Sequence, residues 1–84
     1  MVISCSRTSK SVAGTYVNKA NSSEYLELKA NGEFYLRELG MGLTGEYEIE
    51  GDTITLKLDM GFAARGRIRG DTITDEDGKI WVKR

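Results

Sequence analysis

The sequence predicts an all-β domain of about eight short antiparallel strands, in an up-and-down meander that closes or nearly closes into a small barrel. Three observations predict this class. Apolar and polar side chains alternate through most of the chain, no apolar stripe has helical spacing, and turn signals separate the alternating runs. An open twisted sheet is the second possibility, although it would leave two edge strands exposed.

The alternating runs also predict which side chains face inward. Order is expected to begin near Val12, and the predicted core consists of Tyr16, Leu26, Leu28, Phe34, Leu36, Tyr47, Ile49, Ile54, Leu56, Leu58, Ile68 and Ile73. At the C terminus, either Trp81 or the pair Ile80 and Val82 completes this core. Gly45 and Gly66 fall on the inward face of their runs, which predicts strong bending of the sheet at both positions.

Short polar turns punctuate these runs. Asn31-Gly32 predicts a type I′ hairpin, because both central residues of that turn need a positive φ. Gly51-Asp52 and Gly70-Asp71 predict two more two-residue turns, and Asp77-Gly78 predicts the last hairpin. Segments 48–55 and 67–74 repeat at an offset of 19 residues. We interpret this repeat as one hairpin solution used twice, because the outward charges change sign between the copies.

Composition bounds the function. A chain of 84 residues holds one small domain, and it has no histidine, the commonest general base and metal ligand. One cysteine excludes an intramolecular disulfide and any multi-cysteine metal site. With 12 basic and 13 acidic residues, no broad attraction to nucleic acid is expected. The prediction is therefore no enzyme, no cofactor and no metal.

The N-terminal segment differs from the rest of the chain. Residues 1–11 are rich in serine and lack acidic side chains, which is typical of a flexible tether before a domain at residues 12–84. Within the tether, the residues from Val2 to Cys5 fit the lipobox of a bacterial lipoprotein, so Cys5 is a candidate for lipidation. A full signal needs a longer apolar segment upstream, so the chain would be trimmed from a longer precursor. The alternative is a free cysteine in a mobile tail.

Several other motifs are better explained by local structure. Residues 40–45 match G-x-G-x-x-G, but a dinucleotide site needs a strand–turn–helix unit that this chain lacks. Residues 69–71 spell Arg-Gly-Asp at a place where a hairpin needs Gly-Asp anyway, and residues 61–67 lack the Lys-Ser/Thr of a phosphate loop. The carboxylates at 75–77 are interpreted as a solvated turn. The glutamates at 46, 48 and 50 and the arginines at 65, 67 and 69 are interpreted as a solvated charge ladder.

The two ends of the predicted meander differ in character. One carries short polar turns, whereas the other carries glycine-hinged loops with Met41, Met60 and Phe62. Two hypotheses are possible for these three residues. They could fold inward and plug the barrel end, or they could form an adaptable apolar patch that contacts a ligand or partner.

The hairpin segments 14–16, 25–28, 31–34, 45–47, 51–56 and 77–79 resemble small lipocalin-like β-meander domains of prokaryotic cell-envelope lipoproteins. The resemblance covers roughly residues 13–84. One of the domains resembled is the amino-terminal domain of a copper-stress lipoprotein, which has a paired-cysteine motif that this chain lacks. The resemblance implies a cell-envelope location. Because the paired cysteines are missing, it does not imply metal sensing by this chain. We therefore expect a monomeric, non-enzymatic, envelope-tethered barrel that contacts a protein or a small apolar ligand. The alternative is a structural module of a larger secreted or surface protein.

Overall fold

The computed structural model describes residues 12–84, and the elements from Gly14 onward are all strands. They are β1 (Gly14–Asn18), β2 (Tyr25–Leu28), β3 (Glu33–Glu38), β4 (Met41–Glu50), β5 (Thr53–Leu58), β6 (Ala63–Arg69), β7 (Thr72–Asp75) and β8 (Ile80–Lys83). Each strand pairs antiparallel with the next, and β8 pairs with β1. The barrel is therefore closed, which confirms the predicted meander and removes the open-sheet alternative.

The pairing register continues the alternation around the barrel. Inward residues meet inward residues at every step, as where Leu26 lies between Tyr16 and Leu36. The buried core consists of Tyr16, Leu26, Leu28, Phe34, Tyr47, Ile54, Ile68, Ile73 and Trp81. Predicted core residues Leu36, Ile49, Leu56 and Leu58 are partly buried against it. Trp81 faces inward, whereas Ile80 and Val82 are each 38% exposed.

The first part of β4 pairs with β3 and the second part pairs with β5, and Gly45 lies where the two ladders overlap. It pairs with Phe34 of β3 on one side and with Leu58 of β5 on the other. A Cβ atom at this position would lie 2.0 Å from the carbonyl oxygen of Lys57 and 2.9 Å from the Phe34 ring. Only glycine allows this backbone approach, which agrees with the bend predicted from the sequence.

The type I′ turn is not where the sequence predicts it. Asn31 lacks a positive φ, and residues 29–32 form a longer connection in which the amide of Gly32 donates to the carbonyl of Lys29. Leu39 and Gly40 have φ values of 55° and 75° and join the paired residues Glu38 and Met41. This is the type I′ pattern. The loop expected around residues 39–43 is therefore a tight turn followed directly by β4.

The connections alternate between the two ends of the barrel, as predicted. We call the end with connections 29–32, 51–52 and 70–71 the tail end, because Val12 and Arg84 lie there too. The loop end carries connections 19–24, 39–40, 59–62 and 76–79. Gly51 and Gly70 have φ values of 64° and 58°, as their predicted two-residue turns require.

Candidate functional site

A cavity of about 160 Å³ opens at the loop end of the barrel. Its apolar walls come from the inward faces of six strands and include Leu26, Leu36, Ile54, Leu56, Ile73 and Trp81. Its polar lining consists of Glu38, Arg65, Asp75, Glu76 and Asp77. The cavity is thus an unfilled part of the core that reaches the surface beside the β7–β8 turn.

Uneven strand pairing creates this opening. The β6–β7 ladder ends at Gly66 and Asp75, whereas the β5–β6 ladder continues to Ala63. Ala64 pairs with Leu56 on the inward face and is nevertheless exposed, because no strand covers it from the β7 side. The small residues Ala64 and Gly66 leave space that a larger inward side chain would occupy.

Asp75 builds the wall of the cavity mouth. Its Oδ1 accepts the backbone N–H groups of Asp77 and Lys79, both at 2.9 Å, and its Oδ2 accepts the indole N–H of Trp81 at 3.1 Å. Interpreting residues 75–77 as a freely solvated turn was therefore wrong for Asp75. The signal in the sequence was an aspartate followed two residues later by turn residues, which is the pattern of a side chain that caps its own turn.

A polar cluster ties three connections together at the loop end. The Glu24 carboxylate accepts the Asn18 side-chain amide at 2.8 Å and the backbone N–H of Leu39 at 3.1 Å. Lys79 lies 3.9 Å from Glu24 and forms a closer ion pair with Glu38. We call Asn18, Glu24, Glu38 and Lys79 the ionic clasp. Sequence reasoning missed it, because its members come from two strands and two connections and form no local motif.

The clasp shifts the pKa of two of its members, Glu24 and Lys79. The backbone N–H of Leu39, followed by the Asn18 amide, stabilises the charged form of Glu24 and lowers its pKa. The hydrogen bond to Glu38 raises the pKa of Lys79. Both groups are therefore held in their charged forms, and the turn at Leu39 is held by one of them.

Met41, Met60 and Phe62 do not plug the barrel end. Their exposed fractions are 57%, 59% and 68%, and Leu39 beside them is 79% exposed. The hypothesis that they fold inward and plug the barrel end is therefore wrong. They are exposed because the β3–β4 and β5–β6 hairpins extend past the shorter strands of the other half of the barrel. We call these four residues the apolar tips.

The two hairpins that carry the apolar tips lie side by side. The backbone N–H of Asp59 donates to the carbonyl of Thr44 at 3.0 Å, and the Thr44 hydroxyl donates to the Asp59 carboxylate at 2.8 Å. These bonds attach the start of the β5–β6 turn to the first half of β4. Leu39, in addition, is the single non-glycine residue of positive φ among residues 12–84.

Two further sequence candidates remain, Cys5 and the charge ladder. Cys5 lies outside the described residues. On the outer surface, Arg67 and Arg69 pair with Asp52 at 3.4 and 3.5 Å, and Lys57 pairs with Glu48 at 2.9 Å. The charge ladder is thus solvated, as predicted, but the arginines contact an aspartate of the β4–β5 turn. Within residues 12–84, no group of acidic or cysteine side chains is arranged to hold a metal ion.

Comparison with family models, with curated proteins and with solved structures finds no match. In the part of the chain that the structure describes, no helix is long and apolar enough to cross a bilayer. The interpretation of the site therefore rests on its own geometry and chemistry.

Proposed function

We propose that the protein is a non-enzymatic binding module that takes a small apolar group into the cavity at the loop end. The observation that carries this proposal is an apolar space of about 160 Å³ that opens to the surface. Dry cavities of about 150 Å³ with aliphatic and aromatic walls bind benzene. The expected ligand is therefore the size of one aromatic ring or a short alkyl chain.

The chemistry of the mouth favours binding over catalysis. The chain has no histidine, and the Asp75 carboxylate at the mouth already accepts three N–H groups. Because the backbone and the indole ring occupy these acceptor positions, the carboxylate is poorly placed to take a proton from a substrate. Its role in the proposal is to hold the cavity wall and the Trp81 ring in place.

We also propose that the module is tethered to the cell envelope through Cys5. Val12 lies at the tail end, where the Tyr16 hydroxyl donates to its carbonyl at 2.8 Å. A tether attached there leaves the barrel at the end opposite the cavity, so an anchored domain would present the cavity away from the membrane. Replacing Cys5 with serine should release the protein from host membranes. An unmodified Cys5 in a fully soluble wild type would overturn the tether.

A second candidate function is protein contact through the apolar tips. Leu39 supports it, because a leucine at positive φ is strained and its side chain is 79% exposed. The strain is not repaid by burial within residues 12–84. An exposed surface of methionine and phenylalanine suits an adaptable apolar contact. Serine at Met60 and Phe62 should abolish such a contact while leaving ligand uptake by the cavity intact.

Trp81 is the only tryptophan of the chain and lines the cavity, so its fluorescence reports occupancy directly. Titration with benzyl alcohol should change this fluorescence with a dissociation constant of about 1 mM, as expected of a very small ligand. Ala64→Leu should remove the response by filling the space opposite Leu56. Ala63→Leu is the matched control, because Ala63 is the neighbouring residue on the outer face.

Two results would count against uptake by the cavity. One is a Trp81 signal that stays unchanged by benzyl alcohol in the folded wild-type protein. The other is an equal response in the Ala64→Leu variant, which would place the ligand elsewhere. The first result would favour the alternative that the barrel is a structural module.

A further inference from the structure

We infer that the cavity selects a small apolar cation, meaning one aromatic ring or short alkyl group that carries an ammonium head. This inference rests on the proposed uptake of a small apolar group and adds the charge of the ligand. The apolar walls determine the size and polarity of the ligand's body, as argued above. The charges at the mouth determine the charge of its head group.

Negative charge predominates at the mouth. Four acidic residues, Glu38, Asp75, Glu76 and Asp77, line the cavity together with one basic residue, Arg65. Lys79 neutralises Glu38 through their ion pair. The remaining carboxylates, Asp75, Glu76 and Asp77, follow one another in the chain, and we call them the acidic rim. The rim thus contains three of the four acidic residues that line the cavity.

Arg65 does not offset this rim fully. It pairs with Thr55 in the β5–β6 ladder, whereas its neighbours Ala64 and Gly66 pair with the inward residues Leu56 and Ile54. Since successive side chains of a strand point to opposite faces, the Arg65 side chain leaves the sheet on the outer face. Among residues 12–84, Arg65 forms no ion pair with a rim carboxylate.

Two rim carboxylates remain available to a ligand. Asp75 is engaged by backbone and indole N–H groups. Glu76 and Asp77 are exposed, and within the described residues no side chain forms an ion pair with either of them. A ring seated against Trp81 with an ammonium group one methylene away would place the positive charge at the mouth, beside these carboxylates. An anionic head would meet repulsion there.

The test uses three probes that share one ring: benzylammonium, benzyl alcohol and benzoate. Titrations at pH 7 and low salt are followed by Trp81 fluorescence. We expect benzylammonium to bind about fivefold more tightly than benzyl alcohol, as a solvent-exposed charge pair permits, and benzoate to bind most weakly. The preference for the cation should shrink at about 1 M salt, where charges are screened within about 3 Å.

Rim variants locate the origin of the preference. Glu76→Gln with Asp77→Asn should bring benzylammonium to within about twofold of benzyl alcohol, while the affinity for benzyl alcohol stays unchanged. Glu46→Gln with Glu50→Gln is the matched control, because it removes the same formal charge from the outer face of β4, where both residues are exposed. This control should keep the preference for the cation.

The outcomes separate the two proposals. If benzyl alcohol binds and benzylammonium binds no more tightly, the cation inference is overturned while uptake of apolar groups stands. If the control variant loses the preference as fully as the rim variant, the acidic rim is not its source and the inference is again overturned. If none of the three probes binds the folded protein, uptake by the cavity itself fails.

Discussion

Replacing Gly45 with alanine tests whether the close approach of β4 and β5 at this residue requires glycine. The added Cβ would lie 2.0 Å from the carbonyl oxygen of Lys57 and 2.9 Å from the Phe34 ring. The first of these atoms belongs to the backbone of β5, so rotation of a side chain cannot relieve the contact. The strands must separate where Gly45 pairs with Leu58.

The expected cost is at the upper end of what overpacking produces, about 3 kcal/mol. A domain of this size has a free energy of unfolding of about 4–10 kcal/mol, so the loss is a large fraction of the total. With a urea dependence of about 1 kcal/mol/M, the unfolding midpoint of Gly45→Ala should fall by about 2–3 M. Urea unfolding followed by circular dichroism and by Trp81 fluorescence measures it.

Gly42→Ala is the matched control on the same strand. The three atoms nearest to its Cβ would all belong to the side chain of Tyr35, with the hydroxyl at 2.6 Å, and that ring can move outward. The control should lose under about 1 kcal/mol. Equal midpoints for Gly42→Ala and Gly45→Ala would refute the argument that the β5 backbone lies too close to Gly45 for a side chain.

The remaining predictions concern the turn, the tips, the core and the clasp. Leu39→Gly should raise the free energy of unfolding by about 0.5–1 kcal/mol, because glycine adopts the positive φ of 55° without strain; a loss of stability in urea would contradict this. Serine at both Met60 and Phe62 should cost under about 1 kcal/mol, and a large fall in the melting temperature would mean that they are buried. Ile54→Ala should cost about 2–5 kcal/mol in the same urea assay, since Ile54 is 2% exposed. The lowered pKa of Glu24 adds stability above its ordinary value of 4.5, and this contribution disappears as the pH falls through the folded value. Glu24→Gln should therefore be less stable than wild type near pH 6 and approach it near pH 2, and a constant difference would exclude ionisation as the cause.

The strands and the core could be predicted because both follow from local rules. Side chains of a strand alternate between its faces, so the spacing of Leu26, Leu28 and Ile54 marks the inward face before any partner is known. The same alternation could not choose between Trp81 and the pair Ile80 and Val82. That choice came from pairing, which sets Trp81 opposite the inward residues Ile73 and Asn18.

Turn positions were predicted well at residues 51–52, 70–71 and 77–78, and poorly at residues 31–32 and 39–40. Gly51 and Gly70 adopt the positive φ that their sequence suggests. At residues 31–32 the Asn-Gly signal marked the hairpin but not its turn type, whereas Leu39 takes a conformation that its own side chain disfavours. The Glu24 carboxylate holds the Leu39 amide from 15 residues away in sequence. A tertiary hydrogen bond thus overrides a local preference.

The sequence by itself determined the class of fold, the inward face and most of the core, because these depend on side-chain alternation along single strands. Only the tertiary structure decided the cavity, the ionic clasp and the exposure of the apolar tips. These features depend on where each ladder ends relative to its neighbours, as at Gly66 and Asp75. The offset between strands is set by closure of the whole barrel, which couples all eight strands at once. No single segment of the chain contains that information.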